Sequence, residues 1–273
     1  MLGALVIVFR EVIEAGLIIG IVLAASREIS GNKRWVAFGM VGGIAGSVVV
    51  AIFAGAISDA FAGFGQELFN AAVLGIAVVM LTWHNVWMAR HSSEIVSHMQ
   101  DVGAAVSAGQ RPLAALGIVV GLAVLREGSE VVLFLYGVIA SGTTAMSVLT
   151  GGVLGILAGA AFSTLTYYGL LAIPMRHIFG VTTILIALLA AGMAAQAAQF
   201  LDSAGVITVL GRQLWDSSWL LSQNSLIGRV LHTLVGYTDR PTELQLIVYL
   251  ATLVVMFALT RAARPAPSAR IAA

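Results

Sequence analysis

The chain has 273 residues, of which 59% are hydrophobic and 10% charged, with a formal net charge of +1 and a mean hydropathy of +0.99. No ordinary soluble domain has that balance, so the composition specifies a polytopic membrane protein, while the near-zero net charge singles out no class of partner. Cysteine is absent, which excludes disulfide frameworks, thiolate metal sites and thiol redox chemistry and leaves oxygen and imidazole as the available metal ligands.

Seven stretches are long enough to cross a hydrocarbon core of ~30 Å, which needs roughly 20 helical residues. The first, 2–25, carries Arg10, Glu11 and Glu14 within its apolar run. Those charges argue for a retained helix rather than a cleaved signal peptide, which has a basic start and an uninterrupted apolar centre. The second, 35–57, holds Gly39, Gly42, Gly43 and Gly46. The third, 68–89, ends with His84, Asn85 and Met88. His84 reads as a hydrogen-bonded packing residue, with a place on an exit path as the other reading. Beyond it, Ile95, Met99, Val102 and Val106 recur at helical spacing among polar residues, the pattern of an amphipathic helix lying on the cytoplasmic membrane surface.

The fourth stretch, 113–139, carries Arg126, Glu127 and Glu130, and the fifth, 146–171, holds Gly151, Gly155 and Gly159. The glycines of the second and fifth fit small-residue faces that let helices approach closely within one protomer, with a homo-oligomer interface as the alternative. The sixth is 178–201. A long loop, 202–243, contains Asp202, Asp216 and Asp239, and the seventh helix, 244–261, is followed by a basic tail.

Orientation follows from lysine and arginine. The first loop has Arg27, Lys33 and Arg34, the third Arg90 and Arg111, the fifth Arg176, and the tail Arg261, Arg264 and Arg270, whereas the second and fourth loops have none. The N-terminus is therefore expected outside and the C-terminus in the cytoplasm. Residues 202–243 then form an extracytoplasmic loop.

The chain repeats itself. Phe9 to Ala24 aligns without gaps on Leu125 to Ala140, matching Arg10-Glu11 with Arg126-Glu127, Glu14 with Glu130, Leu17 with Leu133 and Val22 with Val138. The next helix also matches, Gly42-Gly43-Ile44-Ala45-Gly46 against Gly151-Gly152-Val153-Leu154-Gly155. Repeat one, 1–90, and repeat two, 112–201, each hold three helices, an odd number, so the copies run in opposite directions. The expected fold is all-α, one transmembrane permease domain over 1–273, built as an inverted 3+3 repeat plus one helix, with its site near the midplane.

On a helix, residues three and four apart share a face, so each Arg-Glu-x-x-Glu string gathers its charges on one side. Four glutamates and two arginines sum to −2. Ionisable groups at membrane depth cost about 2.5–3.5 kcal/mol each on insertion scales, roughly 15–20 kcal/mol for six unless they are paired or hydrated. Two arginines can neutralise two glutamates bidentately. The excess acid calls for a cation or protons, with the glutamates as ligands or relays and the arginines orienting them and tempering affinity. Oxygen ligands suit iron, calcium, magnesium and manganese alike. Three other readings stand beside transport of such a cation. One is a proton-coupled or proton-conducting transporter of another divalent metal, and another is an ion-pair lock holding two helices together. The third is a di-iron membrane enzyme, whose Glu-x-x-His motif this chain lacks at the matching turn.

The two motifs resemble those of the oxidase-dependent iron permease family, the iron/lead transporters, which includes the fungal high-affinity iron permease and the bacterial Efe-type ferrous-iron permease. The resemblance covers nearly the whole chain. It extends to Leu188-Leu189-Ala190-Ala191-Gly192-Met193-Ala194-Ala195-Gln196, to Leu214-Trp215-Asp216-Ser217-Ser218, and to Gly236-Tyr237 and Arg240-Pro241. It implies that Glu11, Glu14, Glu127 and Glu130 handle iron, that Arg10 and Arg126 are the motif arginines, and that the protein is a permease of the inner (plasma) membrane rather than an enzyme. Iron is then the transported substrate, with no prosthetic group and no nucleic-acid partner. A long N-terminal extracytoplasmic domain of the kind some bacterial relatives carry is not expected. Iron capture and any redox step are expected to fall to an extracytoplasmic iron-binding protein, a multicopper oxidase or a haem peroxidase.

Overall fold

The computed structural model describes residues 1–60, 66–169, 175–223 and 225–263. Among them the chain forms eight helices: α1 Leu2–Ala25, α2 Asn32–Ala60, α3 Gln66–Ser107, α4 Ala114–Ala140, α5 Ala145–Tyr167, α6 Met175–Ser203, α7 Leu226–Val235 and α8 Glu243–Ala263. Arg264 and Arg270, counted above for orientation, lie outside the described residues.

Stretches within α2, α3, α5, α6 and α8 are long and apolar enough to cross a membrane. α1 and α4, with 24 and 27 residues, have the length but carry three charged residues apiece in their centres. Helices satisfy their own backbone groups, so apolar side chains can face lipid without orphaned amides behind them. Phe38, Ile52 and Phe53 on α2, Met146 and Leu157 on α5 and Val254 and Phe257 on α8 form such faces, each largely exposed. The protein is thus an all-helical polytopic membrane protein.

The helices pack crosswise. α2 lies chiefly against α4, α5 against α1 and α3 against α6, while α1 and α4 meet in the middle. Glycine permits the first two contacts. A Cβ on Gly39 or Gly43 would run into the backbone of Gly117 and Gly121 of α4, and one on Gly151 or Gly155 into the backbone of Met1 and Leu5 of α1. Gly42, by contrast, has nothing within 4 Å of that position. These contacts define a register. Gly43 meets Gly121, Val124 and Leu125, while Gly155 meets Leu5, Val8 and Phe9, the residues that the motif alignment makes equivalent. Gly39, Gly43 and Ser47 therefore correspond to Gly151, Gly155 and Gly159. The string match of Gly42–Gly46 on Gly151–Gly155 is three residues out of step, because helices pair by the face they bury and not by local identity.

Two further expectations change. The apolar stripe after the third span is no separate surface helix. α3 runs 42 residues without a break, about 63 Å at 1.5 Å per residue and well beyond the bilayer core. Val106 is buried in a cluster with Val22, Val36, Leu116 and Val120, Met99 packs against that cluster, and Val102 is buried as well. Met99, Val102 and Val106 of the stripe thus cover protein, and their periodicity reports tertiary packing. The loop 202–243 is also more structured than its polarity suggests. It contains α7, whose amide of Gly228 is capped by the Ser225 hydroxyl at 2.9 Å and whose end is closed by left-handed Gly236 (φ 71°).

Candidate metal centre

The six motif residues meet between α1 and α4 around residues that α3 contributes. Glu11, Glu14, Glu127 and Arg10 are all buried. Each arginine holds the glutamate one helical turn on, Arg10 Nε donating to Glu14 Oε1 at 2.8 Å and Arg126 Nε to Glu130 Oε1 at 3.1 Å. This is the i, i+4 spacing of the motif expressed as an ion pair.

The two halves differ beyond that pair. The Arg10 side chain is 3% exposed and its Nη1 donates to Asn85 Oδ1 at 2.8 Å. The Arg126 side chain is 38% exposed, lies 3.9 Å above the Trp87 ring and reaches Glu127 Oε1 only at 3.9 Å. Stacking on Trp87 compensates a guanidinium that has fewer hydrogen bonds. One half of the cluster is therefore closed and the other opens beside Arg126.

His84 stands between the halves. Its ring is buried, its Nε2 lies 3.7 Å from Glu11 Oε2 and 3.5 Å from Glu14 Oε2, and its Nδ1 abuts Glu130 Oε2. Phe134 of α4 meets the ring edge-on with centroids 6.3 Å apart. One donor atom each from Glu11, His84, Glu127 and Glu130 fall within 4.8 Å of one another. Glu14 lies at the border of this group, since Arg10 holds one of its oxygens. Neither oxygen of Glu11 nor Oε2 of Glu127 has a hydrogen-bond partner, while Oε2 of Glu14 and of Glu130 have only the His84 ring beside them. Buried acceptors left unpaired cost about 1–3 kcal/mol apiece, and more when charged. An inward-facing set of unpaired oxygens is what a hydrogen-bonded lock would avoid and a cation would use.

Motif spacing groups the six charged residues but gives no reason to place His84 and Asn85 among them. The available signal was a polar pair one turn before the end of an otherwise apolar span, at a depth where ionisable residues are rarely idle.

Toward the loop side, the Leu188–Gln196 run is almost entirely buried in α6. Gly192 lies against Gly236, where any Cβ would strike the facing backbone, so the loop rests directly on the helix. His232 of α7 meets Gln196 Nε2 through its own Nε2 at 2.6 Å, and its Nδ1 lies 2.7 Å from the Tyr237 carbonyl. Ser217 Oγ pairs with the Tyr237 hydroxyl at 2.8 Å, and that hydroxyl donates to the Leu221 carbonyl at 2.8 Å. Asp216 accepts from the Ser218 hydroxyl and amide at 2.6 and 2.9 Å and pairs with Arg240 at 3.1 Å. The Ser218 bonds hold its carboxyl below the usual carboxylate range. Asp216 thus closes a turn, and the family-like residues of the loop form a scaffold around Tyr237.

Residues 1–263 match the sequence model of the Iron permease FTR1 family. The chain is 31% identical over 260 residues to the ferrous iron permease EfeU of Shigella sonnei (strain Ss046) and to that of Escherichia coli O157:H7, covering 93% of this chain and 94% of each relative. The EfeU protein of Yersinia pestis is 28% identical over 252 residues, covering 91% of this chain and 89% of its own. No solved structure matches the chain. The motif-bearing helices, the loop scaffold and a family match running nearly end to end agree, and the chain belongs to the iron permease FTR1 family.

Proposed function

We propose that the protein carries iron inward across the cytoplasmic membrane through the cluster between α1 and α4, with Glu11, Glu14, Glu127 and Glu130 handling the ion and Arg10 and Arg126 orienting their carboxylates. The observation that carries this reading is the convergence of both Arg-Glu-x-x-Glu motifs on one buried group of unpaired oxygens. Relatives named ferrous iron permease supply the identity of the ion.

The proposed architecture has seven membrane helices, α1 to α6 as an inverted repeat and α8 outside it. Its support is the crossed packing of α2 on α4 and α5 on α1, with equivalent residues in equivalent contacts. An outside N-terminus puts α7 and the Tyr237 scaffold on the extracytoplasmic side, where a separate iron-binding or iron-oxidising protein could deliver the ion. The inside-negative potential contributes about 2.3 kcal/mol per charge per 100 mV, roughly 4.6 kcal/mol for a divalent ion.

Formal charge suits this cargo. Four carboxylates and two guanidinium groups leave −2, which a divalent ion cancels. Release then follows when the repeats rock or a carboxylate takes up a proton. Uptake of radiolabelled iron into vesicles, with and without a pH gradient, tests the reading. Glu14→Gln and Glu130→Gln should each abolish uptake at unchanged protein level. Retained uptake in both would remove these residues from the path, and proton flux without iron uptake would favour a proton conductor.

A further inference from the structure

The six motif residues do not fill the centre of the cluster; α3 does. Its His84 is the residue between the carboxylates of α1 and those of α4, with Nε2 turned to Glu11 and Glu14 and Nδ1 turned to Glu130. We infer that His84 is a direct ligand of the transported ion, completing with Glu11, Glu127 and Glu130 a site of one nitrogen and three oxygens that prefers divalent transition metals to calcium and magnesium. This assignment rests on the proposed midplane path and adds a ligand that neither motif supplies.

The geometry needs little adjustment. Ligands of an ion with bonds of about 2.1 Å stand about 3 Å apart when adjacent and about 4.2 Å apart when opposite. The four donor atoms lie within 4.8 Å of one another before any ion draws them in. The buried ring turns both nitrogens to carboxylates, Nδ1 against Glu130 Oε2 and Nε2 to Glu14 and Glu11 at 3.5 and 3.7 Å. A histidine retained only for packing needs one such acceptor, whereas three carboxylates surround this ring, more than its two nitrogens can satisfy. The neighbouring cations do not take its place. Arg10 is occupied by Glu14 and Asn85, and Arg126 by Glu130 and the face of Trp87.

The chemistry of the donor set gives the preference. Carboxylates alone suit hard ions, and calcium and magnesium are abundant competitors with the same charge as ferrous iron. Imidazole favours iron, zinc and copper over those two ions. A single nitrogen inserted among oxygens therefore discriminates without making the site too tight to release its cargo. Neutral imidazole adds no charge, so the cancellation between the −2 cluster and a divalent ion is preserved, whereas ferric iron would leave one positive charge in a buried site.

The test uses the full-length permease in nanodiscs, loaded anaerobically with Fe(II) and studied by X-ray absorption. The spectrum of the unaltered protein should contain the outer-shell scattering of one imidazole. His84→Gln, which keeps the bulk and polarity, should lose that signature, bind Fe(II) about tenfold or more weakly, and lose at least as large a factor in preference over Ca(II) and Mg(II). His84→Ala should behave alike if it folds, and the spectrum of the unaltered protein decides the matter if neither variant does. Iron bound in an oxygen-only shell, or an imidazole signature that survives in His84→Gln, would overturn the histidine while leaving the glutamate site standing. Failure of the unaltered protein to bind Fe(II), with Glu11→Gln and Glu127→Gln transporting normally, would instead remove the midplane reading on which it rests.

Discussion

Glu11→Gln separates a transport site from a structural ion-pair lock, because the two accounts require opposite signs of stability change. Glu11 is 1% exposed and neither of its oxygens accepts a hydrogen bond. Its nearest ion-pair partner among the described residues is His84, at 3.7 Å. The amide keeps the volume, removes one negative charge from an acid-rich cluster and brings two donors to a place short of them. Relief of an unpaired buried acceptor should stabilise the metal-free protein by about 1–3 kcal/mol, read as a rise of several degrees in its melting temperature. Binding should move the other way. A unit charge about 4 Å from a divalent ion, at an effective dielectric near 20, contributes about 8 kcal/mol before the ion's dehydration is subtracted. Losing one partner of a buried charge pair typically costs about 2–5 kcal/mol net, a fall in iron affinity of about thirtyfold to several thousandfold. Thermal melts of the purified variant with and without Fe(II) read both quantities. A variant that melts lower without iron and still gains normal stabilisation from it would refute the reasoning and favour the lock.

The asymmetry of the arginines gives a second expectation. Arg10→Ala strands Glu14 in a buried site and should destabilise the fold by about 3–5 kcal/mol, whereas Arg126→Ala, at a half-exposed position, should cost far less in a thermal melt while still altering uptake. The helix contacts give a third. Gly43→Leu and Gly155→Leu should each prevent accumulation of folded protein, because the added atoms meet backbone rather than a movable side chain, while Gly42→Ala should be neutral or stabilising by about 0.5–1 kcal/mol. Size-exclusion profiles of the detergent-solubilised variants distinguish these outcomes. Fourth, Tyr237→Phe removes the hydroxyl shared by Ser217 and Leu221, and should loosen residues 214–240 to proteolysis without changing equilibrium iron binding at the buried cluster.

What could be read from the residues was whatever recurs at a fixed spacing. The Arg-Glu-x-x-Glu string occurs twice in matched contexts, so its six members were legible together with their approach to one another. His84 occurs once, on a helix outside either motif, and its position between the two halves is created by the way α3 packs against α1 and α4. The alignment of α2 with α5 was hidden for a related reason. Gly42 matches Gly151 in the string, but Gly39 is the residue that buries the equivalent face. Amphipathicity misled in one place, since Met99 and Val106 recur at the same spacing whether they lie on lipid or on Val22 and Leu116. The loop scaffold escaped notice because its order comes from tertiary bonds to Tyr237 and from the bare contact of Gly192 with Gly236, neither of which leaves a local pattern.

The central claim is that two motifs 116 residues apart make one site rather than two. Equilibrium binding of Fe(II) to the purified protein, measured for Glu11→Gln, Glu127→Gln and the double variant, tests it most directly. One ion per chain, lost on either single substitution with little further loss in the double, is the predicted result. Two ions per chain, each removed by its own substitution and independent of the other, would contradict it.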